Sequence, residues 1–341
     1  MFPNTAKQSW QNKPPDCAAQ INTKVTSKIY FFEVEPADAR VITVKYPRAK
    51  CFAEPFSAKL ASQIKDAEII CGMIHSDFSG KALQLLPKLK LIVTRSAGYD
   101  HVDLAWAHDQ KIPVCFVPEY GSHVIAEHVF ALLLASCRNV LEGEERTAHD
   151  NFSWCGLKGL ALKGKTIGVI GTGRIGAQVC RIASDGFLMK VLGYDVQKNP
   201  KLHKLQNFKY TSLDTLLKRS DIITLHLPLF PETKHLINSK SIAKMKQGVA
   251  LINTARGALI DTPALVKAIK AKRFCHVALD VVEHENNLKE DRELLHLPGV
   301  IITPHIAFYT DESNAKMYSE AFKSIDQFLA NKKLTLQVHG H

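Results

Sequence analysis

The stretch that most restricts the fold is Lys165–Gly176, KTIGVIGTGRIG. Lys165–Ile170 is a short, nearly continuous apolar run, as expected of a strand buried on both faces in a parallel sheet covered by helices. It leads directly into Gly171-Thr172-Gly173-Arg174-Ile175-Gly176 and then into a helix expected over Ile175–Asp185. In that setting each glycine has a task. Gly171 permits the tight turn, Gly173 lets the backbone approach a pyrophosphate, and Gly176 lets the helix pack closely on the strand. The free N–H groups around Arg174 and Ile175, with the positive end of the helix, then suit a phosphate. A glycine-rich turn alone could be only a turn, but Asp195 closes the next strand 19 residues beyond Gly176. That is close to the spacing of a ribose-binding acid. A carboxylate there accepts from a 2′-hydroxyl and repels a 2′-phosphate, which points to NAD. The alternatives are a solvated loop acid at Asp195, and NADP through pairing with Arg174.

The same alternation of strand and helix extends in both directions. Before the glycine motif, strands are expected at Lys28–Glu35, Glu68–Ile74, Leu89–Arg95 and Ile112–Val117, and helices at Leu60–Lys65, Lys81–Leu86 and Val102–Gln110. After it come strands Met189–Asp195, Asp221–Leu227, Val249–Thr254, His276–Val282 and Val300–Thr303. Helices Leu213–Arg219, Ser239–Met245, Pro263–Lys272 and Asp311–Leu329 separate or follow them. Asp261-Thr262 before Pro263 is an N-cap with proline in the first turn. Ser122–Arg138, apolar-rich and free of Gly and Pro, reads as a helix buried on more than one face that leads into a second domain. This pattern is that of parallel βα units rather than a sandwich.

Composition removes other classes. A length of 341 residues favours two domains over one core. The longest apolar runs fall far short of the roughly 20 residues that span a bilayer. Met1–Lys24 is polar, with no secretory apolar core, and reads as a lead-in. Eight scattered cysteines form no C-x-x-C pair, no disulfide framework and no zinc-ligand spacing, so a reduced, cytosolic chain without a metal is expected. The net charge of +11 is spread along the chain with no dense basic stretch, which fits a solvated surface attracting small anions better than a nucleic-acid partner.

Three further segments stand at the ends of successive strands, where ligands bind in open α/β sheets. They are Asn253-Thr254-Ala255-Arg256-Gly257, Asp280-Val281-Val282-Glu283-His284-Glu285 and Thr303-Pro304-His305-Ile306-Ala307. With the glycine motif, the Thr94–Asp103 stretch TRSAGYDHVD and Ala126-Glu127-His128, they resemble the D-isomer-specific 2-hydroxyacid dehydrogenase family, from about Lys28 to the final helix. Taken alone, Arg256 could be a surface cation, His305 a structural histidine and Glu285 a loop acid beside Glu283.

The resemblance implies a role for each. Arg256 matches the arginine that holds the substrate carboxylate and polarises its carbonyl, a task for a planar guanidinium fork. His305 matches the general acid/base and Glu285 the acid that orients its imidazole. Asp280 matches a residue facing the nicotinamide carboxamide, and Thr254 belongs to the same cofactor set. The backbone of Ala97 and Gly98 matches the donors to the substrate carboxylate, and Tyr309 lies with the substrate residues. Asn286 stands where the family often has proline, a feature shared with its D-lactate branch, and His305–Thr310 also looks like that branch. Tyr120-Gly121-Ser122 departs from the Tyr-Ser-Pro common there.

The expected architecture is therefore two doubly wound parallel-sheet α/β domains with a cleft between them. A Rossmann NAD domain, 122–305, is inserted in a flavodoxin-like substrate domain, 1–121 plus 306–341. The implied reaction is NAD-dependent reduction of a small 2-keto acid, pyruvate first, to the D-2-hydroxy acid, in a cytosolic homodimer with Ser122–Arg138 and the following segment near its interface. Rival substrates are glyoxylate, hydroxypyruvate or a bulkier keto acid, decided by the pocket around Phe31, Phe52 or Tyr309. A rival of another class resembles the C-terminal binding proteins, NAD-sensing dimers that recruit transcriptional partners.

Overall fold

A computed structural model describes residues 26–338, so the lead-in Met1–Lys24 lies outside the described residues. The chain divides into two compact units, one running through Phe116 and resuming at Ala321, the other Val117–Glu320. Compared with the sequence-based boundaries at 121/122 and 305/306, residues 306–320 fall with the second unit, and the division lies inside the last helix.

The first unit is built on β1 (Ile29–Phe31), β2 (Lys50–Cys51), β3 (Ile69–Gly72), β4 (Leu91–Thr94) and β5 (Val114–Cys115), all parallel, in the order β2-β1-β3-β4-β5. Helices α1 (Pro36–Lys45), α2 (Ala58–Ala61), α3 (Gly80–Leu83) and α4 (Leu104–Asp109) connect them. β1, β3 and β4 are buried along their whole length, which is why they read as unbroken apolar runs. Tyr30, Phe32, Phe56, Ile70, Phe78 and Ile92 form the centre of one core cluster. Each such side chain contributes on the order of 1.5–3 kcal/mol by leaving water.

The second unit begins with α5 (Ser122–Cys137) and α6 (Val140–Ala148) and then enters a seven-stranded sheet. Its strands are β6 (Thr166–Ile170), β7 (Lys190–Tyr194), β8 (Phe208–Tyr210), β9 (Ile222–Leu225), β10 (Val249–Asn253), β11 (Phe274–Leu279) and β12 (Val300–Ile302). All pair in parallel, in the order β12-β11-β10-β9-β6-β7-β8. Helices α7 (Arg174–Arg181), α8 (Leu213–Arg219), α9 (Ser239–Lys244), α10 (Thr262–Lys270) and the short α11 (Arg292–Leu295) form the crossovers. Alternate residues of the strands feed opposite faces. Ile222, Ala250, Ile252 and Ala278 join α5 and α7 in one core, while Ile223, Leu251, Val277 and Leu279 join α8 to α10 in the other. The order reverses between β6 and β9, so the glycine loop after β6 lies at a topological switch point.

The last helix, α12 (Asp311–Leu329), starts in the second unit, and its later turns belong to the first. There Phe322 packs edge-on against Phe31 and Tyr46, with ring centroids 6.1 and 5.5 Å apart. The Tyr46 hydroxyl donates to Asp326 Oδ1 at 2.8 Å.

Several elements differ from expectation. The helix foreseen over Ile175–Asp185 is α7 followed by a π turn, Ile182–Gly186. β2 and β8 were not foreseen; both are short edge strands with lysine and little burial, so they lack an apolar pattern. α1 was missed because PADARVITVK is rich in β-branched residues and buries only Ile42. Among the described residues no single helix is long and apolar enough to cross a membrane.

Candidate active site

The glycine loop performs three separate tasks. Gly171 has φ +91°, and a Cβ there would lie 2.5 Å from the His226 carbonyl oxygen. A Cβ on Gly176 would lie 1.9 Å from the Gly171 carbonyl oxygen, which is how closely α7 approaches the strand end. Gly173, the N-cap of α7, has nothing within 4 Å of a Cβ position, so its backbone can be approached closely. Asp195 braces the loop: its Oδ2 accepts from the Thr172 amide at 2.6 Å and hydroxyl at 3.1 Å, and its Oδ1 accepts from the Gln197 amide at 3.0 Å. Arg174 pairs with Glu119 at 2.8 Å, both largely exposed. Ile175 lies in the first turn of α7. His226 is half-buried, and desolvation pushes its imidazole down to about 3.

At the end of β10, Thr254 is buried and its hydroxyl has no hydrogen-bond partner among the described residues. An orphaned hydroxyl at a strand end of the sheet that carries the open glycine cradle fits a bound nucleotide cofactor, which would supply the missing partner. Fully buried Asn253 shapes the next residues: its Oδ1 accepts from the Ala255 amide at 3.0 Å and its Nδ2 donates to the Arg256 carbonyl at 2.8 Å. Arg256, half-buried, donates from Nη1 to the Ala255 carbonyl at 2.7 Å. Gly257 follows because a Cβ would collide with the Val282 carbonyl, 2.0 Å away.

Asp280 ends β11 fully buried, and its carboxylate organises the histidine loop. Oδ1 accepts from the Thr303 hydroxyl at 2.5 Å and the Ile306 amide at 2.9 Å, and Oδ2 from the Ala307 amide at 2.8 Å. His128 Nε2 lies 3.5 Å from Oδ1. Burial opposes its charge, but the hydrogen bonds from His128, Thr303 and the two amides outweigh it and lower the carboxyl below the usual range. Its observed partners thus lie within the protein, a function the sequence did not suggest. His305 takes φ +55°, a left-handed conformation uncommon outside glycine, stabilised by its amide donating to the Asp280 carbonyl at 2.8 Å. Its Nδ1 lies 2.9 Å from Glu285 Oε2, the side chains 14% and 25% exposed. A carboxylate offers acceptors only, so Nδ1 carries the proton of this bond. Phe308 packs edge-on to the ring at 6.4 Å, and Tyr309 is exposed beside it.

Ala97 and Gly98 lie in the first unit, half-buried in the loop after β4. Ser96 donates to the Gly98 carbonyl at 2.6 Å, and the fully buried Arg95 reaches the Phe32 and Glu33 carbonyls at 2.7 and 2.9 Å.

A glycine cradle at the switch point of a parallel sheet, with an imidazole–carboxylate pair at neighbouring strand ends, defines the class of nicotinamide-nucleotide dehydrogenases. The chain matches the D-isomer specific 2-hydroxyacid dehydrogenase, NAD binding domain, over residues 130–307. It is similar to a 2-hydroxyacid dehydrogenase homolog of Zymomonas mobilis, 37% identical over 295 residues that cover 82% of this chain and 89% of that protein. An aromatic 2-oxoacid reductase of Clostridium sporogenes is 39% identical over 252 residues, covering 70% of this chain and 76% of that one. Among solved structures, D-lactate dehydrogenase from Aquifex aeolicus, complexed with NAD and lactic acid, superposes with a TM-score of 0.85 at 36% identity, covering 92% of this chain and 100% of that chain. The chain belongs to the D-isomer-specific 2-hydroxyacid dehydrogenase family, and its cofactor is NAD.

Residues that sequence reasoning passed over are Glu119, His235 and Asp291, with Glu283 noted only as a neighbour of Glu285. Glu119 and His235 have partners far along the chain and Asp291 one seven residues back, so no local pattern marks them.

Proposed function

We propose that this chain reduces a small 2-keto acid to its D-2-hydroxy acid, with pyruvate and D-lactate the favoured pair. The observation that carries the reading is the 2.9 Å contact between His305 Nδ1 and Glu285. With Nδ1 committed to the carboxylate, Nε2 is the nitrogen that exchanges a proton with the substrate oxygen. Arg256 holds the substrate carboxylate and stabilises negative charge developing on that oxygen, the electrostatic contribution that is usually largest. The Ala97 and Gly98 amides add donors to the carboxylate, and Tyr309 borders the substituent. Gly171, Gly173, Arg174, Ile175 and Gly176 receive the pyrophosphate, Asp195 the ribose, and Thr254 and Asp280 the nicotinamide end. NADH supplies the hydride that reduces the keto carbon.

In this reading 122–305 is the NAD domain and 1–121 with 306–341 the substrate domain. The active form is a cytosolic homodimer. Phe152 and Trp154, 92% and 85% exposed after α6, support a second copy as their cover. Buried free thiols at Cys71, Cys115, Cys137 and Cys180 support a reducing compartment. The similarity to the Aquifex enzyme supports lactate, and the Clostridium relative supports a second reading with an aromatic keto acid.

The test is oxidation of NADH with pyruvate, hydroxypyruvate, glyoxylate, 2-ketoisocaproate and phenylpyruvate, followed by chiral analysis of the product. Pyruvate turned over fastest, to D-lactate, is the expected result. Preference for phenylpyruvate selects the second reading. NADH binding with no turnover of any keto acid overturns both.

A further inference from the structure

Glu285 stands on a segment, 283–291, that is tied down at the two residues immediately before it. Glu283 Oε1 lies 2.5 Å from His235 Nε2, and Glu283 Oε2 accepts from the Thr262 amide at 3.3 Å. His235 in turn donates its amide to the Ala258 carbonyl at 2.8 Å, and its own carbonyl accepts from Asn238 Nδ2 at 2.8 Å. One carboxylate therefore joins the loop after β9, the N-terminus of α10 and the turn that carries Arg256. The second tie is His284. Its amide donates to Asp291 Oδ2 at 2.7 Å, its Nδ1 lies 3.0 Å from Asp291 Oδ1, and its Nε2 lies 3.2 Å from Glu290. Asp291 is fully buried, whereas Asn286–Glu290 between the ties is exposed. The Asn287 amide closes the loop onto the His284 carbonyl at 2.8 Å.

From this geometry we infer that the His284–Asp291 and Glu283–His235 pairs are positioning pairs that hold the Glu285 carboxylate against His305. The inference rests on the proposed acid/base role of His305. A surface loop would otherwise leave Glu285 with several rotamers and a mobile backbone, and a catalytic carboxylate displaced by about 1 Å can cost on the order of a hundredfold in rate. The two ties fix residues 283 and 284 in successive positions, so the backbone direction at 285 has little freedom left. The surroundings of His284 are acidic throughout: Asp291, Glu290 and Glu283 all act on it.

The experiment is a double-mutant cycle between His284→Ala and Glu285→Gln, with His284→Gln as the conservative variant, since its amide can still donate to Asp291. His284→Ala is expected to lower kcat about tenfold, to move the alkaline limb of the reduction profile to lower pH, and to leave NADH affinity within about twofold. His284→Gln is expected to regain most of the rate. In the Glu285→Gln background, His284→Ala is expected to change kcat little, because the positioned group is already disabled. A readout independent of turnover is the low-field ring N–H signal of His305 in 15N-histidine-labelled protein, assigned by its loss in Glu285→Ala. It should weaken in His284→Ala and Glu283→Ala and persist in His284→Gln. Fully additive effects on kcat, or an unchanged His305 signal in both alanine variants, would overturn the inference. Failure of the wild-type protein to reduce any keto acid while the ring signal responds as stated would instead sink the proposed reaction and leave the positioning intact.

Discussion

His284 illustrates how one residue links chemistry to stability. Its imidazole is raised above the ordinary histidine range, first by the hydrogen bond to Asp291 against a smaller opposing cost of burial. A folded value above the unfolded one means that protonation stabilises the native state. That contribution is fully present below the unfolded pKa of roughly 6.5 and is lost as pH rises through the raised folded value. Replacement by Gln keeps a donor but removes the titration. The difference in Tm between wild type and His284→Gln should therefore be largest below about pH 6 and shrink towards about pH 9. Thermal denaturation across that range checks it, and a difference that grows with pH would mean the pair is not charged as described. The same residue shows what a single position hides in sequence. In the sequence His284 is only one member of the Asp280–Glu285 segment, because its anchor lies seven residues on, in the turn before α11.

At the scale of elements, β6, the glycine loop and α7 behave as one device. Its tolerance is set by the 1.9 Å separation between a Gly176 Cβ and the Gly171 carbonyl oxygen. The obstacle is backbone, so relief requires α7 to move off the strand and the cradle to open. Gly176→Ala should lower NADH affinity at least tenfold and reduce stability by about 1–3 kcal/mol, measurable by fluorescence titration and urea denaturation. An unchanged affinity would count against the cradle. This device was legible from the sequence because strand burial, turn and helix start follow one another along the chain. α8 and α12 were foreseen with their observed bounds for a similar reason: each carries a clear apolar face and, for α8, the Ser212 cap. The edge strands β2 and β8 were not, since an edge strand is specified by its one neighbour rather than by its own apolar pattern. The site divides in the same way. Arg256, Glu285 and His305 stand out by type at strand ends, whereas the Asp280 scaffold and the His235–Glu283 tie arise from contacts between distant loops.

At the scale of the molecule, a five-stranded and a seven-stranded parallel sheet share one chain, the second unit interrupting the first. Four exposed apolar residues lie in and after α6, where Val140 and Leu141 are half-exposed and Phe152 and Trp154 almost fully so. For the proposed dimer, Trp154→Glu combined with Leu141→Glu is expected to give monomer in sedimentation at micromolar concentration. A dimer unchanged by both substitutions would place the interface elsewhere. The proposed chemistry turns on His305, held by Glu285, as the acid/base of an NAD-dependent 2-keto acid reductase. Its most direct test is His305→Ala, with kcat and the NADH dissociation constant measured on the same preparation. The expected result is a loss of kcat of about 10²–10⁴-fold with NADH binding unchanged. Turnover within a few-fold of wild type would contradict it.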